Sequence, residues 1–342
     1  MSKPTVHDIA KEAGVSLATV DRVLNARPGV RAKTVERVQQ AVQSLGYVRN
    51  TNAANLARQR EYRYVFVLPE GPSQFVDTLK DALNEASQAQ LADGVSVKVV
   101  AVPSGDPTAI GQFLNGLNLS RLDGVAIMAP ETPQVRDAIA RVKTKGLAVV
   151  ALVSDLPNSA RDHFVGINNI SAGRTAAALM GRFVSAPTGK VLVVASSLLA
   201  RDSIERRLGF DRVMAEEFPM LEVLPSIESH DDPLRLIPVL KSALATHPET
   251  VGVYSMGSGN TPVLDGLRAT GRLEGLVTIA HELTPVTRKA LMESEIDAVI
   301  TQDVGHLVRS TLRVLRAKCD GVSIFEAQER IRIEIVIREN LP

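Results

Sequence analysis

SLATVDRVLN, residues 16–25, is the first stretch whose residue types and spacing suggest chemistry. Ala18 and Arg22 stand one helical turn apart with Thr19 and Asp21 beside them, while Val20, Val23 and Leu24 fall on one apolar face. Ser16 is placed to cap the start. A solvated helix face ordinarily carries longer charged side chains; this one is short enough for something bulky to come close. Catalytic patterns fail one by one. MGSGNTP (256–262) follows an apolar run like a dinucleotide fingerprint, but Pro262 occupies the third glycine position. PTGKV (187–191) has Gly-Lys followed by Val and lacks the upstream glycine of a phosphate loop. There is no G-x-S-x-G, and the six histidines show no metal spacing, so no catalytic residue, cofactor or metal is expected.

Three helices must position the first stretch. Thr5 precedes Asp8 by three, a capping box that opens a stripe of Val6, Ile9, Ala10 and Ala13, and Gly14 closes it. The second helix starts at Ser16. This helix, glycine turn and helix have the spacing of a DNA-binding helix-turn-helix. After a loop on Arg27, Pro28 and Gly29, a third helix over about 32–45 aligns Val35, Val38, Val42 and Leu45 and stops at Gly46. Charge supports a separate module: residues 1–60 hold ten Lys and Arg against four Asp and Glu, a net +6, which leaves −5 on 61–342 from the overall +1. A basic module ahead of an acidic body is expected when one part meets a polyanion and the other does not.

From Tyr62 onward apolar runs alternate with amphipathic stretches. YVFVL, VKVVAV, GVAIM, AVVALV, VLVVA, VGVYSM, LVTIA and DAVIT are separated by helical patterns at 75–91, 107–118, 133–145, 170–185, 201–217, 232–246, 260–270, 284–293 and 303–318. Runs buried on both faces between helices mean parallel sheet in a doubly wound α/β build. About ten strands are too many for one such sheet, so two lobes are expected. The N-lobe would take about 62–162 and 300–323, and the C-lobe 163–299 and 324–342, behind a head at 1–49 and a linker at 50–61. IRIEIVI alternates Ile331, Ile333, Ile335 and Ile337 and reads as a half-exposed final strand.

Composition sets the outer limits. With 45% apolar residues and 342 residues in all, the chain can bury real cores. The single Cys319 excludes an internal disulfide and a cysteine-rich zinc site. No signal-peptide pattern is visible, and the longest apolar runs, 147–153 and 191–195, are too short to span a bilayer. The expectation is a cytoplasmic protein with no membrane partner.

The start of the chain, TVHDIAKEAGVSLATVDRVLN followed by KTVERVQQAVQSLGYVRN and NAANLA, resembles the DNA-binding head of the lac-repressor (LacI/GalR) family over residues 4–58. In that family the second helix lies in the major groove, and the resemblance makes Leu17, Ala18 and Arg22 the base-facing positions. Arg22 fits best, since a guanidinium grips guanine O6 and N7 together, worth about 1–3 kcal/mol of discrimination. Leu17 is divided, because it sits three before Val20 and seven before Leu24, which assigns it equally to the core. Thr5, Ser16, Thr19, Asn25 and Thr34, with Tyr47 by resemblance, are candidate phosphate contacts, each with an alternative as a cap or surface residue. Asp21 departs from the small hydroxyl residue common there and would repel a phosphate unless held by a neighbour. The segment NTNAANLARQR has too little to bury to form a lone helix in water. In the resembling family this hinge folds on the operator and pairs with a second copy, and a leucine, here Leu56 with Ala53 nearby, wedges into the minor groove. A linker with an incidental leucine is the alternative. The resemblance implies a homodimer on double-stranded operator DNA.

The body resembles sugar-binding periplasmic proteins and the effector domains of the same family over its whole length. The resemblance places Phe75 of LPEGPSQF where an aromatic stacks on a sugar ring, and Arg206 of IERRLGF at the ligand arginine. Asn260 with Ser258 falls in the Asn/Asp loop, Glu282 at the usual acid and Gln302 at a polar hinge position. An arginine fork, a carboxylate and amides suit a neutral polyol. Each has an alternative: Arg206 lies in a charged helix run, and Phe75 could be core. The acidic residue usual after AVVAL is replaced by Val153 and Ser154, with Asp155 a late substitute. The resulting reading is a ligand-responsive repressor of a sugar or polyol operon, not an enzyme; a solute-binding protein and a sugar-modifying α/β enzyme are the rivals.

Overall fold

In the computed structural model, which describes residues 4–24, 27–47, 60–103, 106–230, 232–257 and 259–342, helix α1 (Val6–Ala13) begins at the capping box read above. The Thr5 side chain accepts from the Asp8 amide, and the Asp8 carboxylate accepts from the Thr5 amide at 2.8 Å. Gly14 ends the helix at φ 60, a left-handed conformation open to glycine without a Cβ clash. Helix α2 (Leu17–Leu24) and helix α3 (Ala32–Ser44) close a small core on Ile9, Ala10, Ala13, Val20, Val38 and Ala41. Val6, expected in the stripe, is exposed: it is the first helical residue and extends past its packing partners. Residues 1–60 form one compact unit and 61–342 another. Asn25, Ala53, Leu56 and Ser258 lie outside the described residues, as does most of the expected hinge.

In the larger unit the beat of apolar run and helix builds a first parallel sheet from β1 (Tyr62–Pro69), β2 (Val95–Val102), β3 (Gly124–Ile127), β4 (Ala148–Leu152) and β5 (His163–Val165), in the order β2-β1-β3-β4-β5. Helices α4 (Gln74–Gln90), α5 (Pro107–Gly116) and α6 (Pro133–Thr144) make its crossovers. Their starts are capped by Ser73, Asp106 and Thr132 respectively, each accepting from a first-turn amide. β5 corrects the expected lobe boundary, because 163–165 pairs with β4 and belongs to the first sheet. HFV is a three-residue edge strand with His163 and Phe164 half buried, too short and too mixed to stand out as a strand.

Past helix α7 (Asn169–Phe183) the chain builds the second sheet. It contains β6 (Gly189–Ala195), β7 (Leu221–Val223), β8 (Ile227–Glu228), β9 (Thr250–Ser255), β10 (Val277–His281), β11 (Ala298–Thr301) and β12 (Glu334–Val336). The order is β12-β11-β10-β9-β6-β7 with β8 also on β6, all parallel except β12. Its helices are α8 (Arg201–Glu217), α9 (Pro233–Thr246), α10 (Asn260–Thr270) and α11 (Pro285–Met292). β11 holds 300 and 301 in this sheet, so the return crossing starts after 301 instead of at 300. Helix α12 (Val304–Asp320) then packs on the first sheet, and the Tyr62 hydroxyl donates to the Asp320 carboxylate at 2.8 Å to pin its end. A short helix α13 (Glu326–Glu329) leads back to β12.

Two further expectations change. The described residues hold twelve strands instead of about ten, the additions being the short β5, β7 and β8. IRIEIVI does not alternate as one strand: Ile331 and Val336 are buried and Ile335 is exposed. β12 pairs antiparallel with β11 over Glu334–Val336 alone, so the register is set by that short ladder, not by the isoleucine repeat. Among the described residues no helix is long and apolar enough to cross a membrane.

Candidate functional site

On the small unit, Ser16 caps α2 through its hydroxyl, which accepts from the Thr19 amide at 3.2 Å and meets the Thr19 hydroxyl at 2.9 Å. Val20 turns into the core, with Val23 and Leu24 half buried, and Ala18 and Arg22 face outward. Leu17, divided between core and surface, is 42% exposed beside them. Asp21, the residue that would repel a phosphate, is held by Arg27, whose Nη1 donates to Oδ2 at 3.2 Å. Thr5 is engaged in its cap, Thr34 is half buried in the first turn of α3, and Tyr47 lies half buried against the core.

In the larger unit the carboxyl ends of strands from both sheets face one cavity of about 240 Å³. The loop after β1 contributes Glu70 to Ser73 and leads into Phe75 and Val76 of α4; the end of β3 contributes Met128 to Pro130. Val153 and Ser154 follow β4, Ser196 and Ser197 follow β6, and Asp202, Ser203 and Arg206 come from α8. His230, Gly257 and Glu282 complete the wall after β8, β9 and β10. Three of the four described non-glycine residues with positive φ line this cavity: Val153 at 65°, His230 at 49° and Glu282 at 68°. For a β-branched residue such as Val153 this conformation is sterically costly, and such costs persist where surrounding structure holds a site in place. Gly257 shows why the MGSGN stretch carries glycine there: a Cβ would come 2.2 Å from the Ser196 hydroxyl, where the ends of β6 and β9 approach.

Arg206 is buried, and its position follows from two helices in close contact. A Cβ on Gly173 of α7 would lie 1.9 Å from the Arg206 carbonyl oxygen, and one on Gly209 of α8 would lie 2.1 Å from that of Ile170. The guanidinium donates through Nε to Asn169 Oδ1 at 2.9 Å, through Nη1 to the Met256 carbonyl at 2.7 Å, and through Nη2 to Glu282 Oε1 at 3.4 Å. Gln302 Nε2 donates to that same Glu282 oxygen at 3.1 Å. Burial pushes the Glu282 carboxyl up to about 6, against the opposing pull of Arg206. Behind it, burial holds His281 well below its ordinary value, with its Nε2 2.8 Å from the Tyr254 hydroxyl.

The structure brings Phe75, Arg206 and Glu282 to the cavity wall. Asn260 and Gln302 are buried outside that lining: Asn260 accepts from the Ser255 hydroxyl and donates to the His281 carbonyl, each at 2.8 Å, while Gln302 backs Glu282. Asp155 does not stand in for the missing acid. Its carboxylate is bound by Arg161, with Nη2 to Oδ2 at 2.7 Å, and it faces a different surface depression, because Val153 and Ser154 take the cavity side of the strand end. The lining also takes Glu70, Asp202 and His230, which no sequence pattern singled out. Asp202 could have been found, since it precedes Arg206 by four and so shares its helix face. Missed too were bonds between the halves, among them Arg201 Nη1 to Glu131 Oε2 at 3.1 Å, the Asp202 amide to Ser154 Oγ at 3.3 Å, and the Val286 amide to Gln74 Oε1 at 3.3 Å.

Comparison with known proteins matches residues 64–323 to the periplasmic binding protein domain and residues 5–50 to bacterial regulatory proteins of the lacI family. The chain is 28% identical to catabolite control protein A of Streptococcus mutans over 193 residues, covering 54% of this chain and 55% of that one. It is 24% identical to the HTH-type transcriptional regulator pepR1 of Lactobacillus delbrueckii subsp. lactis over 290 residues, covering 84% of each. For several curated relatives the match spans about half of their length. Among solved structures, an ABC transporter solute-binding protein of Burkholderia graminis in complex with D-arabinose is 25% identical with a TM-score of 0.72, covering 82% of this chain and 96% of that one.

Proposed function

Because the chain belongs to the periplasmic-binding-protein domain family and begins with the head of lacI-family bacterial regulatory proteins, we propose that it is a ligand-responsive, DNA-binding transcription regulator. Its reading is a cytoplasmic homodimer that represses a sugar or polyol uptake or catabolic operon. The observation that carries this is the outward face of α2, where Ala18 and Arg22 stand beside an Asp21 already held by Arg27, on a capped and packed three-helix unit. Leu17 adds apolar surface suited to a thymine methyl.

The cavity is the effector site in this reading. Phe75 supplies an apolar wall, the serines and carboxylates accept from hydroxyls, and Arg206 braces the acid it contacts. Ligand held between the two sheets would favour the arrangement in which Glu131 meets Arg201, and the link from that closure to the hinge would change operator affinity. Leu56, with Ala53, is the proposed minor-groove contact of the hinge. The relatives matched are regulators by name, which favours this reading over an enzyme.

The test is binding of the full chain to mixed-sequence duplex DNA across a salt series. A dimer that neutralises about eight phosphates gives a slope of log affinity on log salt of about −7. A slope near zero would contradict the DNA-binding reading.

A further inference from the structure

The cavity's described lining holds an excess of acidic residues, and its one arginine is already engaged. Among the described residues that line it, Glu70, Asp202 and Glu282 are acidic and Arg206 is the one arginine, a formal charge of −2 counting Glu, Asp and Arg alone. That guanidinium is committed: it serves Asn169, the Met256 carbonyl and Glu282, with Asp202 Oδ2 4.0 Å from Nη1. Glu282 is the converse. Its Oε1 takes two donors while its Oε2, on a side chain 4% exposed, has no hydrogen-bond partner. A buried carboxylate oxygen without a donor costs free energy that an arriving donor recovers.

Resting on the reading of this cavity as the effector site, we propose that its ligand bears a protonated amino group, as in an amino sugar or amino polyol, with the ammonium received by Glu282 and Asp202. An ammonium has three donors and no acceptor, which matches a wall whose unmet need is for donors and whose charge excess is negative. A sugar phosphate or sugar acid brings a further anion beside three carboxylates and finds one guanidinium already engaged. A neutral sugar satisfies the hydroxyl contacts and leaves the charge excess unopposed. Phe75, Val76 and Met128 give the carbon skeleton an apolar wall. The carboxylate excess therefore sorts ligands by charge, and the apolar and serine surfaces sort them by shape.

Calorimetric titration of the full chain at pH 7 with D-glucosamine, D-galactosamine and D-mannosamine, their parent hexoses and the 6-phosphates of those hexoses tests this. The expected result is one amino sugar binding at least about tenfold more tightly than its parent, equivalent to about 1.4 kcal/mol, with no binding of the phosphates. Asp202→Asn and Glu282→Gln should each erase the preference for the amine, and a melting curve for each variant establishes that it folds. A parent hexose or a phosphate binding as tightly as the amino sugar would overturn the proposal and leave the cavity standing as the effector site. Persistence of the amine preference in both folded variants would overturn it too. Absence of heat from every member of the panel would overturn both the proposal and the sugar-site reading on which it rests.

Discussion

Glu282 follows β10 in a left-handed conformation, buried, with one oxygen serving Arg206 and Gln302 and the other without a donor. Burial holds its carboxyl up at about 6 in the folded chain, above the ordinary 4.5. Below pH 4.5 it is protonated in both folded and unfolded states and has no effect on stability. As pH rises from 4.5 through 6 the folded state must release a proton it holds more tightly than the unfolded one, and stability falls by about 2 kcal/mol. Glu282→Gln, which keeps an amide oxygen for Arg206, should thus gain about 2 kcal/mol on the parent between pH 4 and pH 7.5 in urea unfolding. A stability difference that does not change with pH would mean the carboxyl is not perturbed. At this scale the family resemblance singled out Arg206 and Glu282, which the structure puts in the cavity lining, but could not tell a wall residue from a brace. Asn260, Gln302 and Asp155 carry the same functional groups as a ligand contact, and the direction each side chain takes at its strand end is decided by backbone conformation, as at Val153, which no residue pattern announces.

Helices α7 and α8 cross where Gly173 and Gly209 let one backbone touch the other, and the Arg206 backbone is itself the contact point facing Gly173. The missing Cβ atoms are what allow the approach, since in both cases the nearest atom is a backbone carbonyl that cannot swing away. Gly173→Ala should destabilise the larger unit by about 1–3 kcal/mol or more through overpacking. It should also weaken any ligand that depends on Arg206, and thermal unfolding with a ligand titration reads both. Full stability in that variant would show that the helices can separate at no cost. The long strands of this unit were legible as continuous apolar runs, buried on both faces, and the crossover helices by their amphipathic spacing. β5, β7 and β8 were not, since two or three residues are too few for any period, and β12 was misregistered because its isoleucines alternate beyond the short ladder that fixes its face.

Across the whole chain the uneven charge, +6 on residues 1–60 and −5 on the rest, assigns the polyanion to the small unit and keeps the larger one from competing for it. That division, the helix-turn-helix spacing and the two-sheet count were readable from sequence. The bonds between the sheets, such as Arg201 with Glu131, were not, because the partners are 70 residues apart and neither sits in a motif. The proposed regulator reads DNA sequence through α2 as a two-fold dimer. Selection of random-sequence duplexes by the full chain, run beside Arg22→Ala, tests it most directly. The expected result is a near-palindromic motif of two half-sites, with discrimination at one position of each half-site reduced by about 1–3 kcal/mol in the variant. Enrichment of no motif, or of one that Arg22→Ala enriches identically, would contradict it.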